Sequence, residues 1–234
     1  MPAQELFRDD SYLKTCTATV TASGDGVFYL DRTICYPLGG GQPGDTGTLE
    51  WDGATLDIVD TRYGEGGDIA HHVAEGETPP PVGASVTLTI DWDRRYRHMR
   101  MHTAMHLLGS ILRYDVTGGN ISTEKSRLDF NMEDTVDKEA VGEALLELVR
   151  DDHPVSCRWI SEEELDAQPE LVRTMSVQPP RGKGAVRLLD IAGVDLQPCG
   201  GTHVRSTAEV GAVRVGKVEK KGRQNRRVNL HLDD

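Results

Sequence analysis

Two pairs of side chains in this sequence have the types and spacing of metal ligands. His102 and His106 lie four residues apart in RRYRHMRMHTAMHLLGSILR, residues 94 to 113. In a helix that spacing stacks both imidazoles on one face, about one turn apart, as two ligands of a single ion require. Cys199 and His203 follow in QPCGGTHV, starting 93 residues after His106. The two glycines between them let the backbone curl until thiolate and imidazole point at one atom. A lone HxxxH also arises from ordinary paired histidines, but the second pair completes a set of three imidazoles and one thiolate, which suits zinc. His98 extends the helical series, yet only two of its members can share one small ion. It is expected on the surface or in a contact between domains. Asp195 and Gln197, just ahead of Cys199, could orient a ligand or be plain loop residues.

The first pair needs a helix, and the pattern supplies one. Met101, Ala104, Met105, Leu108, Ile111 and Leu112 form an apolar side with the histidines on its flank, near a core yet reachable. Beyond it, GGNISTEKSRLDF reads as a turn and a strand, and DTVDKEAVGEALLELVRDD as a second helix that Asp137 would cap. HPVSCRWI reads as a strand and SEEELDAQPE as a short helix ended before Pro169. Residues 185 to 191, AVRLLDI, form another strand, with the CGGTH loop expected to follow it directly. GAVRVGKVEKK and RRVNLHL, joined by GRQN, make a hairpin with a basic polar side. Helices and antiparallel strands in this mixture specify an α+β domain.

Upstream the period is two. Short β-rich runs at 16–22, 27–29, 46–51, 55–60, 69–73 and 85–92 are separated by Gly- and Asp-rich turns, which suggests a small β-barrel. One loop inside it, YPLGGGQPGDTG at 36–47, sets five glycines and two prolines around Gln42 and Asp45. Such glycines either bring backbone close to a ligand or another domain, or simply make turns. His71 and His72 have no ligand spacing and read as structural. The period shifts from two to about 3.6 near Asp91–Arg94, which divides the chain into a barrel domain, 1–93, and an α+β metal-binding domain, 94–234.

Composition narrows the class. No apolar run has membrane-spanning length and no charged start precedes an apolar stretch, so a cytoplasmic protein without a membrane partner is expected. Four scattered cysteines without a CxxC argue against a disulfide framework. Asp and Glu number 38 against 26 Lys and Arg, a formal charge of −12. Two segments oppose that average: Arg94, Arg95, Arg97 and Arg100, and the C-terminal run from Arg214 to Arg227. Each is either a solvated face or a local grip on a phosphate backbone.

Taken together, YPLGGGQPGDTG, HTAMHLL, SRLDF and PCGGTHV, in this order and at these distances, closely resemble the editing domain of alanyl-tRNA synthetases, and within that family the free-standing, medium-length AlaX type. The resemblance spans essentially the whole chain, with no aminoacylation module. It implies ATP-independent, trans-acting hydrolysis of alanine tRNA wrongly charged with serine, and of the glycine ester as a second substrate. On the family pattern His102, His106, Cys199 and His203 hold one zinc ion per chain, while Thr103 and Gln42 lie at the aminoacyl end. The expected tRNA contacts are the Arg-rich approach to the helix and Arg223, Arg226 and Arg227, on phosphates of the acceptor end. Four protein donors normally close a tetrahedron, so expansion of the coordination, displacement of a ligand, and a purely positioning metal all stay open. Two other readings share some features: a zinc-structured RNA-binding module without catalysis, and a zinc hydrolase of small esters or amides.

Overall fold

A computed structural model describes residues 2–175 and 184–233. The chain divides into two compact units, Met1–Tyr96 and Arg97–Asp234.

In the first unit, strands β1 (Gln4–Glu5), β2 (Thr15–Gly24), β3 (Val27–Leu30), β4 (Arg32–Thr33), β5 (Gly47–Trp51), β6 (Ala54–Tyr63), β7 (Ile69–Val73) and β8 (Ser85–Ile90) accompany a short helix, α1 (Leu6–Asp9). Six of them close a barrel in the order β2-β3-β7-β6-β5-β8. The alternation is plainest in β8, where Val86, Leu88 and Ile90 are buried while Ser85 and Thr87 face water. Together with Phe28, Leu30, Leu49, Leu56 and Ile58 they fill the interior, each contributing about 1.5–3 kcal/mol by leaving water.

The glycine loop is fastened to this barrel by close backbone approach. A Cβ on Gly44 would sit 1.9 Å from the Thr61 carbonyl oxygen, and one on Gly47 would sit 2.1 Å from that of Thr89. No residue with a side chain fits either position. Asp45 accepts the Tyr36 N–H at 2.6 Å and is gripped through both carboxylate oxygens by the guanidinium of Arg95. Arg95 also donates to the carbonyls of Ile34 and Ser11, at 2.7 and 3.0 Å, and is wholly buried. Losing either partner would strand the other charge in the interior, at a cost of about 3–5 kcal/mol.

His71 is structural, as its spacing suggested. It is fully buried, stacks on Phe28 with centroids 5.0 Å apart, and places Nε2 2.9 Å from the Thr33 hydroxyl. Burial pushes its pKa down from 6.5 to about 4, although a hydrogen bond to the Phe28 carbonyl opposes the shift. The unfolded chain therefore binds this proton more readily, and stability present above pH 6.5 is lost as the pH falls toward 4, by up to about 3 kcal/mol. His71→Gln should flatten the fall of the urea midpoint between neutral pH and pH 4.5. Equal slopes in both proteins would exclude this role.

Helix α2 (Trp92–Leu112) is capped by Asp91, whose Oδ1 accepts the Arg94 N–H at 3.1 Å. In the second unit it is buried on nearly every side from Met99 to Ser110, not along a single stripe, and His98 is buried too, not at the surface. Around it lie β9 (Val116–Asn120), β10 (Lys125–Asn131), α3 (Lys138–Arg150), β11 (Val155–Ser161), α4 (Glu162–Asp166), β12 (Ala185–Ile191), β13 (Asp195–Pro198), β14 (Val213–Gly222) and β15 (Asn225–Leu232). One sheet runs β14-β15-β10-β9 and the other β11-β12-β13, so the unit is α+β. Asp137 caps α3 by accepting the Glu139 and Ala140 N–H groups, both at 3.1 Å. Ser161 and Glu164 form a capping box on α4. Two short strands were not legible: the Gly-Gly segment of β9 pairs with β10, and β13 intervenes between β12 and the CGGTH loop. Among the described residues no helix is long and apolar enough to cross a membrane.

Candidate metal centre

Helix α2 brings His102 and His106 together as the spacing requires, with ring centroids 5.2 Å apart. The loop after β13 carries Cys199 and His203 to them. The His203 ring lies 4.3 Å from that of His102 and 5.1 Å from that of His106. The four ligand atoms all lie within 4.8 Å of one another, so the cluster could hold a metal ion. Cys199 Sγ is 3.6 Å from His102 Nε2 and 3.2 Å from His203 Nε2. A tetrahedron with metal–sulfur bonds of about 2.3 Å and metal–nitrogen bonds of about 2.0–2.1 Å has S···N edges of about 3.5 Å, so the donor set fits one ion.

Electrostatics point the same way. Burial alone would raise the Cys199 thiol, but His102, His203 and His106 hold it well below the usual thiol range, as a thiolate. Burial lowers His203 to about 3, and His102 presses it in the same direction. Burial works against charge on His106 as well, but the Cys199 thiolate and Asp195 outweigh it and lift it to about 9. A buried thiolate ringed by three imidazoles is a ligand set prepared for a cation.

The far sides of two of the imidazoles are also engaged. His203 Nδ1 lies 3.2 Å from Thr103 Oγ1, and Thr103 is fully buried. His106 Nδ1 meets Asp195 Oδ2 at 3.3 Å and Gln197 Nε2 at 2.9 Å. Asp195 and Gln197 alternate along β13, with Cys199 just beyond its end, and so share one face turned to His106 instead of lying in a plain loop. Arg173 pairs with the other oxygen of Asp195. Burial pushes the Asp195 carboxyl up, but His106 and Arg173 hold it below the ordinary carboxylate range. For a metal held at these donors, Asp195→Asn is expected to weaken affinity by about 10–100-fold, read by competition with a chromophoric chelator. An unchanged affinity would remove Asp195 from this role.

Arg187 escaped the sequence reading. It is buried, and its Nη1 donates to the carbonyls of Cys199 and Gly201 at 3.1 and 2.8 Å, fixing the Gly-Gly turn between the two ligands. The available signal was a charged residue inside the apolar strand AVRLLDI, which had to find internal partners.

The arginines expected on RNA are largely committed elsewhere. Arg226 is buried and donates to the carbonyls of Gly222, Arg223, Asn225, Asp134 and Glu133, latching the hairpin instead of facing solvent. Arg227 forms a two-pronged pair with Asp129 at 2.7 and 2.8 Å. Only Arg223 points outward, with its side chain 89% exposed, 3.6 Å from Glu133. The Arg-rich approach to α2 is also engaged within the protein, with Arg95 and Arg100 buried and Arg94 and Arg97 half-buried. Arg94 donates to Gly44 O, Arg95 holds Asp45, Arg97 donates to Thr123 O and Arg100 to Val210 O. Gln42 is fully buried in the barrel unit, its backbone paired with Gly39.

Residues 186–229, which contain Cys199 and His203, match the threonyl and alanyl tRNA synthetase second additional domain, and residues 7–94 match class II (A) tRNA synthetases. Two segments of the chain thus resemble domains of tRNA synthetases. It is 37% identical over 245 residues to an alanyl-tRNA editing protein AlaX-M of Methanosarcina mazei, covering 99% of this chain and 97% of that protein. The AlaX-M protein of Saccharolobus solfataricus is 36% identical, with 96% and 97% covered. An alanine–tRNA ligase of Pyrobaculum neutrophilum is 37% identical over 93% of this chain but only 25% of its own length. The chain belongs to the AlaX-M family of alanyl-tRNA editing proteins.

Proposed function

We propose that this protein is a trans-acting deacylase that hydrolyses the ester of alanine tRNA mischarged with serine, with the glycine ester as a second substrate, at a zinc ion held by His102, His106, Cys199 and His203. The observation that carries the reading is the convergence of a helical histidine pair and a loop Cys–His pair within 4.8 Å. Relatives named alanyl-tRNA editing proteins match along nearly the whole chain, which supports it. Three borderline nitrogens and one soft sulfur favour zinc over magnesium or calcium. The chemistry such an ion supplies when bound is Lewis-acid polarisation of an ester carbonyl and activation of water near neutral pH.

The chain's own residues supply orientation and choice. With Nε2 of His203 turned to the cluster, its Nδ1 carries the ring proton and donates to Thr103 Oγ1. That contact uses one acceptor site of the hydroxyl and leaves its hydrogen to donate. In this reading it donates to the seryl side chain, which alanine lacks. Asp195 and Gln197 keep His106 in its orientation, and Arg187 keeps the Cys199 carbonyl and the glycine turn in place. Hydrolysis adds water across the ester, releasing the free amino acid and returning a proton to the ribose oxygen. On the hairpin, phosphate contact falls to the outward charges, Arg223 and Lys217, whose side chains are 89% and 75% exposed. Arg226 and Arg227 act by holding the hairpin that presents them.

The experiment is incubation of zinc-loaded protein with Ser-, Gly- and Ala-charged alanine tRNA. Rapid release of serine, slower or comparable release of glycine and sparing of the alanyl ester are expected. Binding of all three without turnover would show an RNA-binding module instead, and cleavage of simple esters with indifference to tRNA a general hydrolase.

A further inference from the structure

The face of the β11-β12-β13 sheet that carries the cluster continues past it to an exposed indole. Trp159 stands opposite Arg187 in the antiparallel register. Arg187 accepts the Cys199 N–H at its carbonyl, at 3.1 Å, and so stands opposite Cys199 on the next strand. Directly opposed residues point to the same side, which puts Trp159, Arg187 and Cys199 in one row on one face. The neighbouring row, Cys157, Leu189 and Gln197, lies on that face too. The row crosses two inter-strand spacings, so Trp159 lies about 10 Å from the Cys199 end of it.

Trp159 is 52% exposed on the edge strand, a large apolar surface for a residue so near the site. Arg187, between the two, is 6% exposed, and its Nε has no partner among the described residues. A charged edge of the site thus leads to an open aromatic face. The ester of an aminoacyl-tRNA is joined to its terminal adenine through a single ribose. An ester at the cluster therefore has its base within about the distance at which the indole lies.

We propose that Trp159 is the stacking platform for the terminal adenine of the tRNA, holding the 3′ nucleoside while its ester meets the cluster. This rests on the deacylase reading given above. Stacking on an aromatic ring needs only a π-face, so it anchors the 3′ end of every tRNA alike and leaves amino-acid choice to the cluster.

The test combines turnover with binding, using the full chain loaded with zinc. For Ser-charged alanine tRNA, Trp159→Ala should raise KM about tenfold or more with kcat within about twofold, and Trp159→Phe should restore KM to within about threefold. Separately, an uncharged CCA-ended oligonucleotide should quench the tryptophan fluorescence of the parent protein and leave that of Trp159→Phe nearly unchanged. An unchanged KM in Trp159→Ala, or equal quenching in Trp159→Phe, would overturn the assignment. If the parent protein fails to hydrolyse the seryl ester, the deacylase reading falls, and the quenching measurement still decides Trp159. Because Trp159→Phe keeps an aromatic ring on an exposed strand position, it folds independently of any fate of the alanine variant.

Discussion

Cys199→Ser is expected to lose the metal and about 10³-fold or more of the seryl-tRNA deacylase rate, the scale reached when charge stabilisation at a reacting carbonyl is removed. Cys199 is the single sulfur of the cluster, and the three imidazoles around it hold it as a thiolate. A serine hydroxyl in its place stays protonated at neutral pH and is a poor partner for zinc, so the remaining three imidazoles must hold the ion without an anionic ligand. The same change breaks the contact from Cys199 Sγ to His102, at 3.6 Å, that joins the helix to the loop, and the one to His203, at 3.2 Å, within the loop. Metal content after dialysis and the initial rate on the seryl ester check this together. One equivalent of metal retained with a rate within tenfold of the parent would show that the thiolate is dispensable.

Thr103→Val is expected to reduce the preference for seryl over alanyl ester by about 10²-fold, because a site that hydrogen-bonds a substrate hydroxyl rejects the analogue without it far more strongly than an apolar pocket does. Valine keeps the shape of threonine and removes only the hydroxyl. The alternative role is specific: Thr103 Oγ1 touches His203 Nδ1 at 3.2 Å and could act only by orienting that ligand. In that case both esters would slow together and their ratio would stay fixed. Thr103→Ser, which keeps the hydroxyl, should preserve the ratio. Parallel rates on Ser- and Ala-charged tRNA for the three proteins separate the two roles.

The two pairs that converge were legible because a spacing of four has the same meaning in any helix, and because Gly200 and Gly201 free the backbone to bring Cys199 and His203 to a point. The barrel was legible from alternation, as in SVTLTI of β8. The supports of the site were not. Asp195 and Gln197 face His106 only because a four-residue strand, β13, precedes Cys199, and a segment that short carries no period. The basic stripes were misread for a related reason. Sequence gives the count of charges, not the side they take, and Asp45 with Arg95 or Asp129 with Arg227 pair across 50 and 98 residues. Backbone carbonyls, which are invisible in composition, claim Arg100 and Arg226. The glycine loop kept two meanings until Gly44 and Gly47 were found pressed against the carbonyls of Thr61 and Thr89.

The most direct test is to strip the protein with a chelator and add zinc back in steps while following hydrolysis of Ser-charged alanine tRNA. Activity should vanish in the stripped protein and return linearly, reaching its plateau at one zinc per chain. Stripped protein that cleaves the seryl ester at the original rate would contradict a metal centre built from His102, His106, Cys199 and His203.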